Sequence, residues 1–392
     1  MDRKAFASSL STLPDWKSAV REACGNVLEK LGDAPCDLAV CFVSEPYPGL
    51  EGPELAAALQ ENLPYRVLIG CNSSGVVGAA SEVEMRPAVT LLGMHLPGVR
   101  LYPFSFSQET GNSIISSAGL LSHLDLYPNE KPRFLLLADP MTCDIVELLG
   151  HFNNAYKGLP VVGGLASGAV MGAANKLFMN GQSFGEGAVG VAMTGDVDLE
   201  IVVSQGCRPI GRPLVITRAE HNVLYELSGR PAIEQVRTLI GSLRGRDRQL
   251  AENTLSVGLV MEEKHAAFGR GDFLIRNIMG FDPDSGALLV GATLHTGQTV
   301  QFQVRDAETS TEDLLEQLRR EPAYGDVPHG GLLVSCCGRG QNFFGVPDHD
   351  IGLIRSAKGT FPMAGFFANG EIGPVGGRNF VHGYTSSLVI FR

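Results

Sequence analysis

The sequence predicts an α/β protein with mixed sheets and helices outside, built from three strand–helix–strand–glycine-loop–strand units in two domains. Three observations predict it. Three segments carry an apolar strand ending in Gly with a second Gly five positions on: VLIGCNSSG (Gly70, Gly75), PVVGGLASG (Gly163, Gly168) and PMAGFFANG (Gly365, Gly370). A small or polar residue precedes the second Gly each time, namely Ser74, Ser167 and Asn369. The segments on either side of the loops repeat as well, and self-similarity of this kind marks a recurring structural unit.

The elements follow in order. PDWKSAVREACGNVLEKLG (14–32) reads as an amphipathic helix closed by Gly32. The first unit then has DLAVCFV (37–43) as a strand, PELAAALQENL (53–63) as a helix, its loop, and AVTLLGMHL from Ala88 as the last strand. The second has RFLLLA (133–138), CDIVELLGHFNNAY (143–156), its loop, and GAVGVAMT from Gly187. The third has GLLVSC (331–336), DHDIGLIRSA (348–357), its loop, and TSSLVIF from Thr385. The first half of each unit is a βαβ crossover, which makes its strands a parallel pair with the helix on one sheet face. Runs such as FLLLA are apolar without alternation, as expected where both sheet faces are covered.

A domain boundary is expected near residue 195, giving 1–195 with two units and 196–392 with a strand-rich insert and the third. Within the insert, VDLEIVVSQG and PLVITRA read as a hairpin turned by CRPIGRP. NVLYEL is a strand, and GRPAIEQVRTLIGSL is a helix with Pro231 near its first turn. DFLIRNIMG, GALLVG and QTVQFQV are strands, and TSTEDLLEQLRR is a helix with Ser or Thr caps.

Composition narrows the function classes. The 392 residues carry 31 Lys+Arg against 42 Asp+Glu, a formal charge of −11, with 44% hydrophobic residues. This is a folded chain whose acidity argues against nucleic-acid phosphates and anionic membranes as partners. No basic n-region and apolar h-region open the sequence, and the eight cysteines lack C-x-x-C or zinc spacing. The expectation is a cytoplasmic protein with no metal and no cofactor.

Glycine loops at the ends of parallel strands can aim backbone N–H groups at an anion or carboxylate, although the same glycines also serve plain tight turns. None matches a phosphate loop or opens a helix as G-x-G-x-x-G, so a nucleotide is not supported. SCCGRG places Cys336, Cys337, Arg339 and Gly340 where the third unit's first strand ends, the position that Asp139 holds in the second. Arg339 offers a bidentate fork for a carboxylate or a partner for a local acid. Cys336 and Cys337 are candidate nucleophiles, with inert buried thiols as the commoner fate and at most one of two neighbouring strand residues facing a site. ANGEIGP contributes Asn369, Gly370 and Glu371, followed by Arg378; Glu371 can accept an amine, act as a base or pair with either arginine.

These stretches, GGLASG, VVSQGCRPIG, GRPAIE, GDFLIRN, QFQVRDAE, SCCGRG and AGFFANGEIGPVGGRNFVHGYTSSLVIF, occur in an order that resembles the FIST N-terminal and C-terminal domain pair, from about residue 36 to the end. The resemblance implies a sensory, small-ligand-binding module of bacterial signalling proteins, for which amino acids have been suggested as ligands, and it also extends to eukaryotic F-box proteins. The chain reads as a stand-alone version, without an F-box, that signals through a separate partner. Members often carry Cys where this chain has Ala368, which makes thiol chemistry at that point less expected here.

The reading is therefore a small-ligand sensor whose loops 163–168, 337–340 and 369–371 line one cleft. Gly163, Gly164, Ser167, Gly168, Arg339, Gly340, Asn369, Gly370, Glu371 and Arg378 are its ligand-binding candidates. Arg339 would hold a carboxylate and Glu371 an ammonium. Two alternatives stand beside it: a hydrolase or transferase using Cys336 or Cys337 with Glu371, and a protein-interaction scaffold. No base able to activate either thiol is identifiable in the sequence.

Overall fold

The computed structural model describes residues 3–45, 47, 49–107, 116–169, 174–264, 267–320 and 328–392. In each repeat one central strand sets the register. Cys36–Ser44 pairs in parallel with Tyr65–Ser73 and antiparallel with Ala88–His95. Arg133–Ala138 pairs likewise with Val161–Leu165 and Ala188–Gly195, and Gly330–Cys336 with Met363–Ala368 and Thr385–Phe391. The crossover helices Gly52–Asn62, Ile145–Ala155 and His349–Lys358 follow the central strand in all three.

The repeat glycines are equivalent to the residue. Gly70 lies opposite Cys41, Gly163 opposite Leu136 and Gly365 opposite Leu333. A Cβ on these glycines would come within 2.1, 2.0 and 2.0 Å of the partner's carbonyl oxygen, so no other residue fits without moving backbone.

Each repeat is longer than the sequence suggests. A leading strand comes first: Ala5–Ser11, Val99–Phe106 or Leu199–Gln205, each beside the last strand of its own repeat. After each glycine loop a short hairpin follows: Gly75–Gly78 with Glu82–Glu84, Leu177–Met179 with Gln182–Phe184, and Glu371–Val375 with Arg378–His382. No hairpin joins its own repeat's sheet. The first repeat's hairpin extends the third sheet, the second's extends the first sheet, and the third's extends the second. The result is three six-stranded sheets linked by a cyclic exchange.

The sheets share one core, containing Phe42, Leu137, Val334 and Phe366 from the three central regions. Phe42 and Phe366 stack with ring centroids 4.6 Å apart. Helices cover the outer faces: Trp16–Leu31 and Gly52–Asn62 bury the far side of the first sheet, and Ser117–Leu124 and Ile145–Ala155 that of the second. Burial on both faces explains the unbroken apolar runs.

The compact units do not follow a cut at residue 195. One comprises Met1–Val203, Leu315–Val381 and Thr385–Arg392, and the other Ser204–Leu314 with His382–Tyr384. The physical reason is the exchange of hairpins, by which the third repeat receives the first repeat's hairpin and extends the second repeat's sheet. The second unit is inserted in the chain between the third repeat's leading and central strands.

The second unit has a sheet of eight strands, with Ala232–Ser242 and Gly245–Thr254 as helices and Ile216, Leu224, Val257 and Phe302 in its core. The hairpin expected from VDLEIVVSQG and PLVITRA does not form. Leu214–Glu220 pairs with Val223–Leu227 and Thr299–Arg305, while Leu199–Gln205 takes the leading-strand place in the third sheet. Among the described residues no helix is long and apolar enough to cross a membrane.

Candidate functional site: a buried polar cluster in the third repeat

The glycine loops meet through backbone hydrogen bonds. Leu165 N donates to Gly370 O at 2.9 Å, Asn369 N to Leu165 O at 3.0 Å, and Cys337 N to Ala368 O at 2.8 Å. Ser167 Oγ accepts from Ser74 N at 3.0 Å and donates to Phe367 O, so all three loops touch at one serine. A Cβ at Gly164 would press on Val334 and one at Gly168 on Asn72, which makes both glycines close-approach positions. Gly340, at φ +94°, turns the chain so that Gln341 N donates to Glu84 Oε1 at 2.8 Å. Asn369 is exposed.

Arg339 pairs with a local acid, the second of its two expected roles, although it is buried rather than at the surface. It is only 2% exposed, and its fork is occupied: Nε and Nη2 each donate to Asp350 at 2.8 Å. Its guanidinium lies 5.0 Å from the Phe344 ring centroid, and His349 stacks on the same ring while its Nδ1 sits 2.9 Å from Asp350 Oδ1. Ser335 Oγ donates to Asp350 Oδ2 at 3.1 Å. Burial alone would raise the Asp350 carboxyl, but Arg339 and His349 overcome it and hold Asp350 well below the usual carboxylate range. The nearby Glu82, whose Oε1 accepts from Ile351 N at 2.9 Å, is pushed up to about 8 by burial and by the Asp350 charge.

Glu371 is fully buried, and its Oε2 accepts from Thr385 N at 3.1 Å. Burial, then the adjoining Cys336 thiol, drive its carboxyl well above the usual range, against the pull of Thr385 N and Arg339. Cys336 is buried at the end of its strand and acts electrostatically on both Glu371 and Arg339; Cys337 is exposed. The structure thus brings together Cys336, Arg339 and Glu371 and adds Asp350, Ser335 and His349. It leaves out Arg378, which is exposed at the turn end of the Glu371–Val375 strand, about 13 Å along it from Glu371.

Equivalence among repeats shows what is special about this cluster. Glu371, opposite Gly164, occupies the place of Leu177, opposite Cys71, and Val76, opposite Phe366. Ser335 and its cross-strand partner Ser386 occupy the places of Val43 with Val89 and Ala138 with Ala188. The third repeat has buried polar groups where both sisters pack apolar ones. Four buried polar atoms of the third repeat are left unsatisfied: Arg339 Nη1, Glu371 Oε1 and the hydroxyls of Ser386 and Ser387 have no hydrogen-bond partner. Each such atom costs about 1–3 kcal/mol. Among the described residues no group of His, Cys, Asp or Glu is placed to hold a metal.

Comparison with known proteins identifies the family, with the boundary between its two domain models falling inside the inserted unit. The FIST N domain model matches residues 37–230 and the FIST C domain model 232–374. Uncharacterized protein Rv0628c of Mycobacterium tuberculosis is 38% identical over 385 residues, covering 97% of this chain and 98% of its own. Uncharacterized protein Mb0898c of Mycobacterium bovis is 38% identical over 384 residues, 97% of both chains. F-box/LRR-repeat protein At5g63520 of Arabidopsis thaliana is 31% identical over 153 residues, covering 34% of this chain and 28% of its own. The chain therefore belongs to the FIST family, whose domains are associated with sensory signal transduction.

Proposed function

We propose that this protein is a cytoplasmic sensor that binds a small zwitterionic metabolite, such as an amino acid, at the polar cluster of the third repeat, and passes the signal to a separate protein. The observation that carries the reading is the pair of unpartnered buried atoms, Arg339 Nη1 and Glu371 Oε1, in a repeat whose sisters are apolar at the Glu371 position. A fold does not need these groups for packing, and leaving them unsatisfied is costly. A ligand carboxylate on Nη1 and an ammonium on Oε1 satisfies both. Asp350 already neutralises Arg339, so the buried guanidinium carries no uncompensated charge. Burial favours the protonated Glu371 carboxyl and a bound ammonium favours the carboxylate, so binding is expected to release protons. The eight free thiols support a reducing compartment.

Calorimetry against a panel of amino acids, run in buffers of different ionisation enthalpy, tests the reading. We expect saturable binding with release of about one proton, abolished in Glu371→Leu, a change that installs the second repeat's own residue. Binding unaltered in that variant, or absent across the panel and in native mass spectrometry of the purified protein, refutes it.

The contact of Cys336 with Glu371 favours a second reading, thiol catalysis. A buried thiol beside a carboxyl whose proton is favoured by burial has a poor activating base, so slow alkylation of Cys336 at neutral pH is expected. Rapid stoichiometric alkylation of Cys336, but not Cys337, would turn the assignment toward an enzyme.

A further inference from the structure

We propose that the inserted unit, residues 204–314, carries a ligand pocket of its own for a small amphiphilic anion, an apolar body bearing a terminal carboxylate. A cavity of about 270 Å³ opens between the turn at Gly211 and the helix Ala232–Ser242. At about 30 Å³ per water it holds roughly nine waters, room for a ligand of about ten heavy atoms. Leu214, Leu239 and Phe302 form apolar walls, with Leu214 and Phe302 buried, while Arg212 and Arg230 stand exposed and Thr238 adds a hydroxyl. Apolar walls with a few placed polar groups are the usual make-up of a small-molecule site.

The two arginines specify the sign. Elsewhere in this unit Arg208, Arg218, Arg246 and Arg248 hold carboxylates, whereas Arg237 and Arg244 make no ion pair among the described residues but do not line the cavity. Arg212 and Arg230 both line the cavity and make no ion pair among the described residues. In a chain of net charge −11 with acids in excess, two unneutralised guanidinium groups beside one apolar pocket form a local anion trap.

Hydrogen bonds tie two of the walls. Gly211 has φ +70°, and a Cβ there would come within 2.8 Å of Leu239. Its carbonyl accepts from Gln301 Nε2 at 2.8 Å, and Gln235 Nε2 ties the helix to Leu227 O at 2.9 Å.

The test is calorimetry of the full chain with octanoate, which has ten heavy atoms, against 1-octanol and inorganic phosphate. We expect one octanoate per chain with Kd of about 0.1–1 mM, and at least tenfold weaker binding of octanol and of phosphate. Arg212→Ala and Arg230→Ala should each weaken octanoate about tenfold with the melting temperature unchanged. Leu239→Trp, which fills the pocket and leaves both arginines, should abolish binding. The proposal is overturned if octanoate gives no saturable heat to 10 mM, if octanol or phosphate binds as well, or if the double arginine variant or a folded Leu239→Trp keeps full affinity. Melting curves of all variants separate loss of the site from loss of the fold.

Discussion

Arg339 and Glu371 look alike in the sequence, as charged residues in glycine-rich loops, and they are opposites in the folded protein. Arg339 is locked to Asp350 in a buried bidentate pair, so Arg339→Ala should cost about 3–5 kcal/mol and lower the melting temperature sharply, because it strands the Asp350 charge. Glu371 has no comparable anchor. Glu371→Leu should instead raise stability by about 1–2 kcal/mol in denaturant unfolding, as an unsatisfied carboxyl gives way to apolar packing. A fall of similar size would mean that the Thr385 N contact dominates. Glu82 supplies a pH signature. Its folded pKa of about 8 exceeds its unfolded value of 4.5, so the native state holds its proton across that interval and stability contributed by this group declines as pH rises from 4.5 to 8. Asp350 works the other way, its contribution being lost only as pH falls below the normal carboxylate range. Glu82→Gln keeps an acceptor for Ile351 N and should flatten the decline in melting temperature between pH 5 and 8; an unchanged slope would exclude Glu82 as its source. Cys336, Arg339 and Glu371 were legible as candidates because their loops recur. Asp350 was not, since a histidine–aspartate pair at a helix start is explained by the helix alone, and its ion pair with Arg339 depends on how the crossover returns.

At the scale of elements, the glycine repeat was legible for a simple reason: one steric requirement, an absent Cβ against a neighbouring carbonyl, is met three times by the same residue type. Gly70→Ala, Gly163→Ala and Gly365→Ala should accordingly behave as a set, each destabilising by about 3 kcal/mol or more, because the obstructing atom is backbone and cannot rotate away. Thermal melts of the three variants check this, and near-normal stability in any one would break the equivalence. The leading strands of the first two repeats and the hairpins were not legible. Strands such as Gly75–Gly78 and Leu177–Met179 are too short to show a period, and their partners lie in a different repeat. The apparent hairpin at CRPIGRP failed for a related reason. Its first strand is claimed by the last strand of the repeat, Thr385–Phe391, far away in sequence.

For the whole molecule, the exchange of hairpins makes the three repeats one cooperative body. A fragment of residues 1–195 contains two complete repeats by sequence, yet its Gly75–Gly78 hairpin would lack Met363–Ala368, and Val161–Leu165 would lack Glu371–Val375. Both would become unpaired edges. We expect this fragment to show no cooperative melt by circular dichroism and to aggregate at micromolar concentration; a dispersed amide spectrum with a sharp transition would show that exchange is dispensable. The inserted unit draws none of its sheet from the exchange, so its own strands can part without opening the three sheets. Hydrogen exchange should therefore show the two units opening with different protection. The cyclic order of donation also fixes a number. In an open solenoid a copy can be gained or lost at will, since each leans only on its neighbours. Here first gives to third, third to second and second to first, a closed circuit in which every donor is also a recipient. Deleting one copy leaves a hairpin without a sheet and a sheet without a hairpin, and inserting a fourth demands that the circuit be rewired. Such a ring cannot grow or shrink by single steps, but any one member can change its chemistry, as the third has done, while the other two keep the circle closed.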